Sequence, residues 1–553
     1  MNPLIFLGGG YLALIAGHYL FMRATQGIHP PDPDKVCPSI SMADGCDYVA
    51  SDRIVVLGHY YMSIAGLSPV LSAIAGMQWG WLPVVVWMLV GVHWMGGFTE
   101  YMHILISMRH KAKNLGSVVV EKIGIATGTY LNLILVFFCI LVFAIFAFVI
   151  STTLEGTPTA VIPTLTLIPL AMLFGYLRYV KQANLGLTTL VFVVLWGIMI
   201  VLGQNVPINI SWQNWLIIFV IYTFFATGLP VWSLLQPRDF LNSAILVAGI
   251  GIGTIALFIG LPSFEMPAYA GWVSPAGSLY PAIFIMVTCG AVAATHSLIS
   301  MGTTSKQVAN EKDTYWIASL GTKGETVIAL MAITLVASYY SYDQFISEVV
   351  PAPGPAFTAA YAHAVGFIGL PEVVGATFGA LILSAFVMTT MDSYARAGRY
   401  LIQEIANDFP ALKATQIHRV WPSTALIVLV GWLIATYTNF MAMWAGYVAM
   451  NLFVIVYSYM MITIYTAEQR HPLNAKFFYW VGIPGLFMTG TTIYALIYYL
   501  IRYINAGQYY GLVILSLCLI LLALSMLQFI PKLLRWNQLG DEYEARMKAE
   551  QSS

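Results

Sequence analysis

Long apolar stretches alternate with short polar ones along nearly the whole chain. A hydrocarbon core of about 30 Å takes about 20 apolar residues of helix, and on that measure the pattern divides into about 15 transmembrane helices. They fall at 3–22, 53–77, 79–108, 127–152, 161–180, 184–205, 211–237, 238–261, 278–300, 321–345, 372–393, 419–437, 440–466, 477–503 and 508–531. Two long apolar stretches are divided to reach this number, at Gln78–Gly80 and at Gln236–Asp239.

Three of these helices carry residues that a helix built only to cross lipid does not need. Gly58–Pro69 reads G-H-Y-Y-M-S-I-A-G-L-S-P, Ala226–Pro230 reads A-T-G-L-P, and the ninth helix holds Thr288-Cys289-Gly290 followed by Thr295-His296-Ser297. Proline removes a backbone donor and crowds the preceding turn. Glycine frees the chain to turn aside. Irregular backbone is tolerated at membrane depth only where protein or a wet cavity surrounds it. Each interruption therefore reads either as a packing kink or as the break of a discontinuous helix. Interrupted spans at matching positions of two halves point to a transporter's binding site.

The second and seventh helices are five apart and cross in opposite directions. Residues 53–205 and 211–393 then form two five-helix inverted repeats, a leucine-transporter-like arrangement. Residues 1–22 are a leading helix, 394–531 hold C-terminal extra helices, and 532–553 form a charged cytoplasmic tail. In an alternative register the ninth helix leads the second repeat, with outer loop 351–370 as a gate; its partner, 127–152, shows no comparable interruption.

Composition agrees with an all-α polytopic membrane protein: 59% of residues are hydrophobic and 9% charged, against roughly 25% charged in soluble domains. A formal net charge of zero gives no reason to expect a nucleic-acid partner. The placement of charge orients the chain. Lysine and arginine gather in the loops after odd-numbered helices, such as Arg109, Lys111 and Lys113, or Arg396, Arg399 and Lys413, while the other loops hold almost none apart from Arg502. Cytoplasmic loops carry this excess, so the N-terminus is expected outside and the C-terminus inside. The first apolar run lacks a basic n-region and reads as a membrane helix, not a cleaved signal. Five scattered cysteines make no disulfide framework. Cys37 and Cys46 fall in a reducing loop; they read as free thiols or as half of a metal site completed by His29. Leu115–Ile123 and Ala395–Ile405 read as short amphipathic helices at the inner leaflet.

Ionisable residues at membrane depth are functional candidates. His59, His93, Glu100, Glu325, Asp392 and His296 qualify. Bland readings stand beside them: Glu100 solvated near the inner interface, Asp392 paired with Arg396, and His59 and His296 as satisfied packing histidines. Thr389 and Thr390 beside Asp392 offer oxygens to sodium or join helices. The expected substrate lining is His59, Tyr60, Ala65, Gly66, Leu67, Ser68, Thr227, Gly228, Trp232, Thr295 and His296. The expected coupling residues are His59, His296, Glu325, Thr389, Thr390 and Asp392, with Arg238 and Asp239 as a gate at the cytoplasmic mouth. There is no phosphate-binding G-x-x-x-x-G-K-[ST] loop, no haem attachment motif and no nucleophile–base or metal-ligand set. The expectation is no enzyme, no cofactor and no metal. The expected partners are a small-molecule substrate, a proton or sodium ion, and membrane lipid, and nothing sets an oligomeric state.

Four stretches are similar to the carbon starvation protein (CstA) family of bacterial inner-membrane transporters: Gly58–Pro69, L-P-V-W-S-L-L-Q-P-R-D-F-L-N-S from Leu229, C-G-A-V-A-A-T-H-S-L-I-S-M-G-T-T from Cys289, and T-T-M-D-S-Y-A-R-A-G-R-Y-L-I-Q-E from Thr389. Weaker likeness covers S-M-R-H-K-A-K-N-L-G from Ser107, and Glu325. The resemblance runs over roughly residues 1–408. It implies a secondary transporter that imports a small carboxylate such as pyruvate, or short peptides, with protons. His59, Gly66, Pro69, Pro230, Trp232, Gln236, Arg238, Asp239, His296 and Asp392 fall on the family's motif positions. Tyr60 stands where typical members have a second histidine, Leu67 and Ser68 where they have small residues, and Ala294 and Thr295 where they have Gly and Phe. Those departures motivate an alternative, a transport-deficient sensor or subunit of a larger membrane complex.

Overall fold

A computed structural model describes residues 2–292, 296–438, 440–506 and 509–552. The chain is helical almost throughout. α1 (Pro3–Gln26) leads into α2 (Arg53–Ala65) and α3 (Ser68–Gly76), followed by α4 (Trp81–Gly91) and α5 (Gly97–Arg109), which a π-helical turn at Val92–Gly96 joins. Next come α6 (Leu115–Lys122), α7 (Ile125–Gly156), α8 (Val161–Gly175), α9 (Leu185–Asn205), α10 (Trp212–Gly228) and α11 (Leu235–Gly260). A two-stranded hairpin, β1 (Val273–Ser274) against β2 (Gly277–Ser278), precedes α12 (Leu279–Met286) and α13 (His296–Gly302). The remainder is α14 (Asp313–Tyr339), α15 (Pro353–Gly366), α16 (Glu372–Asp408), α17 (Val420–Tyr437), α18 (Phe440–Glu468), α19 (Ile483–Ala506), α20 (Tyr509–Leu534) and α21 (Trp536–Ser552).

Twelve described helical segments are long and apolar enough to cross a membrane, or 13 with the bent pair α2–α3 taken as one span. This is a multi-pass membrane protein. The first expected interruption is present: α2 and α3 meet at a bend of 44°. Gly66 makes it, at φ +48 and ψ −158, a conformation open to glycine. A Cβ there would lie 2.8 Å from Thr390 Oγ1, so backbone and packing both exclude a side chain. Pro69 sits in the first turn of α3, where its missing N–H costs nothing.

The ninth expected helix is also interrupted. α12 stops at Met286, Thr288–Val292 turns with Gly290 at φ +78, and helix resumes at His296. The seventh differs. Ala226–Pro230 is no break inside a span: α10 ends at Gly228, and Leu229–Leu234 connects it to α11. The guanidinium of Arg396 caps that end, donating to the carbonyl oxygens of Ala226 at 3.1 Å and of Leu229. A cation on the orphan carbonyls of a helix C-terminus is favourable. The proline here follows a finished helix.

The centre is built from α2, which packs on α11, α14 and α16. Of the best apolar windows, 83% of that in α14 and 94% of that in α18 is buried, against 22% in α9 and 28% in α20. α9 and α20 therefore form the rim that faces lipid. α6 forms as expected, with Asn114 accepting the Ser117 N–H at its start, but its apolar side is buried on α7 and α18. Ala395–Ile405 is no separate surface helix; it continues α16, with Arg396 and Arg399 buried.

Candidate functional site

Two buried networks of ionisable side chains lie around α2. The first joins four helices. His59 on α2 places Nδ1 2.7 Å from Asp239 Oδ2. Arg238, one residue before Asp239 on α11, donates to Asp239 Oδ1 from Nη2 at 2.8 Å and to Asp392 Oδ2 on α16 from Nη1. From α10, Tyr222 donates to Asp392 Oδ2 at 2.8 Å and Thr223 to Oδ1 at 3.1 Å. Arg238, Asp239 and Asp392 are completely buried and His59 nearly so. One guanidinium thus faces two carboxylates, and the His59 imidazole bonds one of them. An uncompensated charge at this depth is expensive, so these groups are held as one paired set.

The second network surrounds Glu100 on α5. Tyr60, the neighbour of His59, donates to Glu100 Oε2 at 2.9 Å, and Ser300 on α13 donates to the same oxygen. His103 Nδ1 lies 3.6 Å and His296 Nδ1 3.8 Å from Glu100 Oε1. The other face of His296 meets Glu325 on α14, with Nε2 3.3 Å from Oε1. The Gly290 N–H donates to Glu325 Oε2 at 3.2 Å, and Thr326 Oγ1 donates to the Gly290 carbonyl at 2.9 Å. Two carboxylates and two imidazoles are buried together.

The two interruptions are neighbours. Tyr447 on α18 donates to Ser68 Oγ at 3.2 Å, and its hydroxyl lies 3.8 Å from Cys289 Sγ. One phenol therefore touches both broken stretches. Among the described residues Thr390 Oγ1, buried over Gly66, has no hydrogen-bond partner, while Thr389 accepts from Asn242 at 3.3 Å.

A third cluster ties the loop after α1 to α16. Asp47, in the loop after α1, accepts from Arg396 at 2.8 Å, Arg399 at 2.9 Å and Tyr400 at 2.7 Å, all on α16. Burial alone would raise the Asp47 carboxyl; Arg396, Arg399 and Lys306 instead hold it at about 2. Lys306 lies over the Tyr400 ring at 3.4 Å, and burial lowers its ammonium to about 8 against the pull of Glu404 and Asp47. The same loop holds Trp232, whose Nε1 donates to the Gly45 carbonyl at 3.1 Å.

The profile of the carbon starvation protein CstA family matches residues 12–352 and 342–495. The chain belongs to this family. Among its relatives are the pyruvate/proton symporter BtsT of Escherichia coli, 26% identical over 73% of this chain and 68% of that protein, and the peptide transporter CstA of Bacillus subtilis, 26% identical over 93% of this chain and 94% of that protein. In architecture the CstA-family chain is similar to a manganese transporter from Eremococcus coleocola, with a TM-score of 0.51 at 10% identity over 90% of this chain and 99% of that one.

Against the expected site of this CstA-family member, the structure divides the residues into groups. His59, Arg238, Asp239 and Asp392 come together, so the residues expected as a gate at the mouth are buried and bonded to a residue expected at the substrate. Tyr60, His296 and Glu325 meet around Glu100, which is 1% exposed and not solvated as one reading held. Ala65, Leu67 and Ser68 are buried at the first break with Gly66. Thr227 and Gly228 lie elsewhere, at the end of α10, where a Cβ on Gly228 would meet the Trp421 ring. Thr295 lies outside the described residues. Asp392 pairs with Arg238 and not with Arg396, which is engaged by Asp47. His93 does not join Glu100; its Nδ1 bonds the Leu89 carbonyl and its ring packs on Phe21. Cys37 and Cys46 form no disulfide, and the one group with metal-ligand spacing among the described residues does not include them. Sequence reasoning missed His103, Ser300, Tyr222 and Thr223. The i, i+3 spacing of Glu100 and His103 on one helix was the available signal for the first.

Proposed function

We propose that this protein is a secondary active transporter that carries a small carboxylate of the pyruvate type, or a short peptide, across the bacterial inner membrane together with a proton. The observation that carries the reading is the pair of interrupted helices, α2–α3 and α12–α13, which meet at Tyr447, together with two buried networks that pair histidines with carboxylates. Discontinuous helices near the bilayer midplane offer free backbone groups to a substrate. His59 with Asp239, and His296 with Glu325 and Glu100, are the proposed proton sites. The Asp47 cluster is the proposed inner lock, with the N-terminus outside and the C-terminus in the cytoplasm. Two relatives, named a pyruvate/proton symporter and a peptide transporter, support the class of cargo.

The division into inverted halves at residues 53–205 and 211–393, within about 15 spans, stays a separate proposal: the seventh expected helix that would lead the second half ends at Gly228 without an interior break, and the observed second interruption lies inside that half. Superposition of one half on the other after a two-fold rotation tests that division.

The experiment for transport is counterflow and uptake in proteoliposomes with labelled pyruvate and di- and tripeptides, with a trapped pH indicator. Wild type is expected to exchange at least one of these and to take up protons with it. His59→Ala is expected to abolish substrate-driven proton uptake; unaltered coupling in that variant removes His59 from the mechanism. Absence of counterflow with every candidate defeats the transport reading and leaves the sensor or subunit alternative.

A further inference from the structure

The geometry points to a divalent metal site at the second interruption, formed by Cys289, His296 and Glu325. Among the described residues this is the one group of histidine, cysteine and carboxylate side chains with metal-ligand spacing, its donor atoms all within 4.8 Å of one another. The residues come from three places. Cys289 lies in the turn after α12, His296 opens α13, and Glu325 projects from α14; all are at most 2% exposed. His296 Nε2 and Glu325 Oε1 are 3.3 Å apart. Two ligand atoms each about 2.0–2.1 Å from one tetrahedral ion stand about 3.3 Å apart, so this spacing already suits zinc.

The atoms that would bind are those the protein leaves unused. Among the described residues, neither ring nitrogen of His296 nor Glu325 Oε1 has a hydrogen bond of good geometry, although all are buried. Leaving such groups unsatisfied costs about 1–3 kcal/mol each. The surrounding contacts have the character of a supporting shell. The Gly290 N–H holds Glu325 Oε2 at 3.2 Å and leaves Oε1 free. Glu100 Oε1 stands 3.8 Å behind His296 Nδ1, on the side away from Glu325. Carboxylate behind imidazole is how metal-ligating histidines are oriented.

The donor set selects the ion. A thiolate, an imidazole and a carboxylate suit zinc or a similar borderline divalent cation, whereas magnesium and calcium take oxygen ligands. Its two positive charges would balance the thiolate and Glu325, which removes the penalty of burying either anion alone. Three protein ligands leave a fourth position for water or an added carboxylate. Bound there, the ion would tie the turn at Gly290 and the start of α13 to α14.

The proposal stands on this geometry and not on the transport reading. A metal ion on His296 Nε2 and Glu325 Oε1 would take the place of a proton at those atoms and leave His59 with Asp239 as the proposed proton site. The test is an equilibrium measurement that needs no uptake. Full-length protein purified in detergent is incubated with Zn2+ alone, desalted and assayed for metal. One equivalent per chain is expected to remain, with affinity falling at least about tenfold in both Cys289→Ser and Glu325→Gln. Co2+ in place of Zn2+ is expected to give a thiolate-to-cobalt absorption band that Cys289→Ser lacks. Wild type alone is expected to gain thermal stability with Zn2+ and not with Mg2+, a readout that survives if the variants fail to fold. No retained zinc, equal response to both ions, or an unchanged cobalt band in monodisperse Cys289→Ser overturns the site.

Discussion

Gly66 is constrained from two directions. Its φ of +48 excludes most side chains, and Thr390 Oγ1 occupies the space where a Cβ would go. Gly66→Ala is expected to lower stability by about 1–2 kcal/mol, since both the left-handed backbone and the close contact resist the added carbon. Gly8 on α1 is the control: nothing lies within 4 Å of its would-be Cβ, and alanine there is expected to be neutral or slightly stabilising. Thermal unfolding of both variants in detergent checks the difference; equal shifts would refute the constraint. The break at Gly66 was legible in the sequence because glycine and proline declare themselves locally. The partner of Asp392 was not. Arg396 is four residues away on the same helix and Arg238 is 154 residues away, yet Arg238 forms the pair. Packing of α11 on α16 overrides the i, i+4 spacing, because it brings in a guanidinium that also bonds Tyr222 and a second carboxylate.

At the scale of elements, α16 unites functions that sequence reading kept apart. Its 37 residues run without interruption from Glu372 to Asp408. Thr389, Asp392, Arg396 and Arg399 recur at helical spacing, so one face holds the deep carboxylate and the arginines that bind Asp47. The amphipathic pattern of Ala395–Ile405 predicts an interfacial helix. The polar face it detected is real, but it meets the loop after α1 and not water. Asp47 gives this contact a pH dependence. Its carboxyl is held at about 2 against a usual value of 3.8, so its contribution is complete above the unfolded value and disappears as pH falls through the folded one. The shift corresponds to about 2 kcal/mol. The gap in unfolding temperature between wild type and Asp47→Asn is expected to stay constant above about pH 4 and to close as pH falls towards 2. A gap that persists unchanged to the acid end would show that Asp47 acts by packing and not by charge.

Across the whole molecule, apolar length located the helices because lipid imposes its thickness on any chain that crosses it. The misplaced seventh break shows the limit of that signal. A-T-G-L-P looks the same whether it interrupts a span or ends one, and only the cap that Arg396 supplies from a distant helix distinguishes the two. Similarly, Cys289 drew attention only as part of a motif, because metal-ligand spacing that arises from three separate elements leaves no fixed interval in the sequence.

The burial of α14 has a consequence for how the protein is made. α7 has a mean hydropathy of 3.5 in its best window and enters a bilayer on its own merits, whereas α14 reaches only 1.4. Lys323 and Glu325 lie within it, and each charge at a helix centre opposes insertion by about 2.5–3.5 kcal/mol. α14 is therefore expected to partition into the membrane only after α2 and α5 are present to receive its charged side, so biogenesis has an order that the finished helices conceal. A glycosylation-mapping assay reads this directly. As an isolated guest segment, 313–339 is expected to pass through the translocon into the lumen, and to be retained in the membrane when residues 1–312 precede it. Retention of the isolated segment as efficient as that of 125–156 would refute the order.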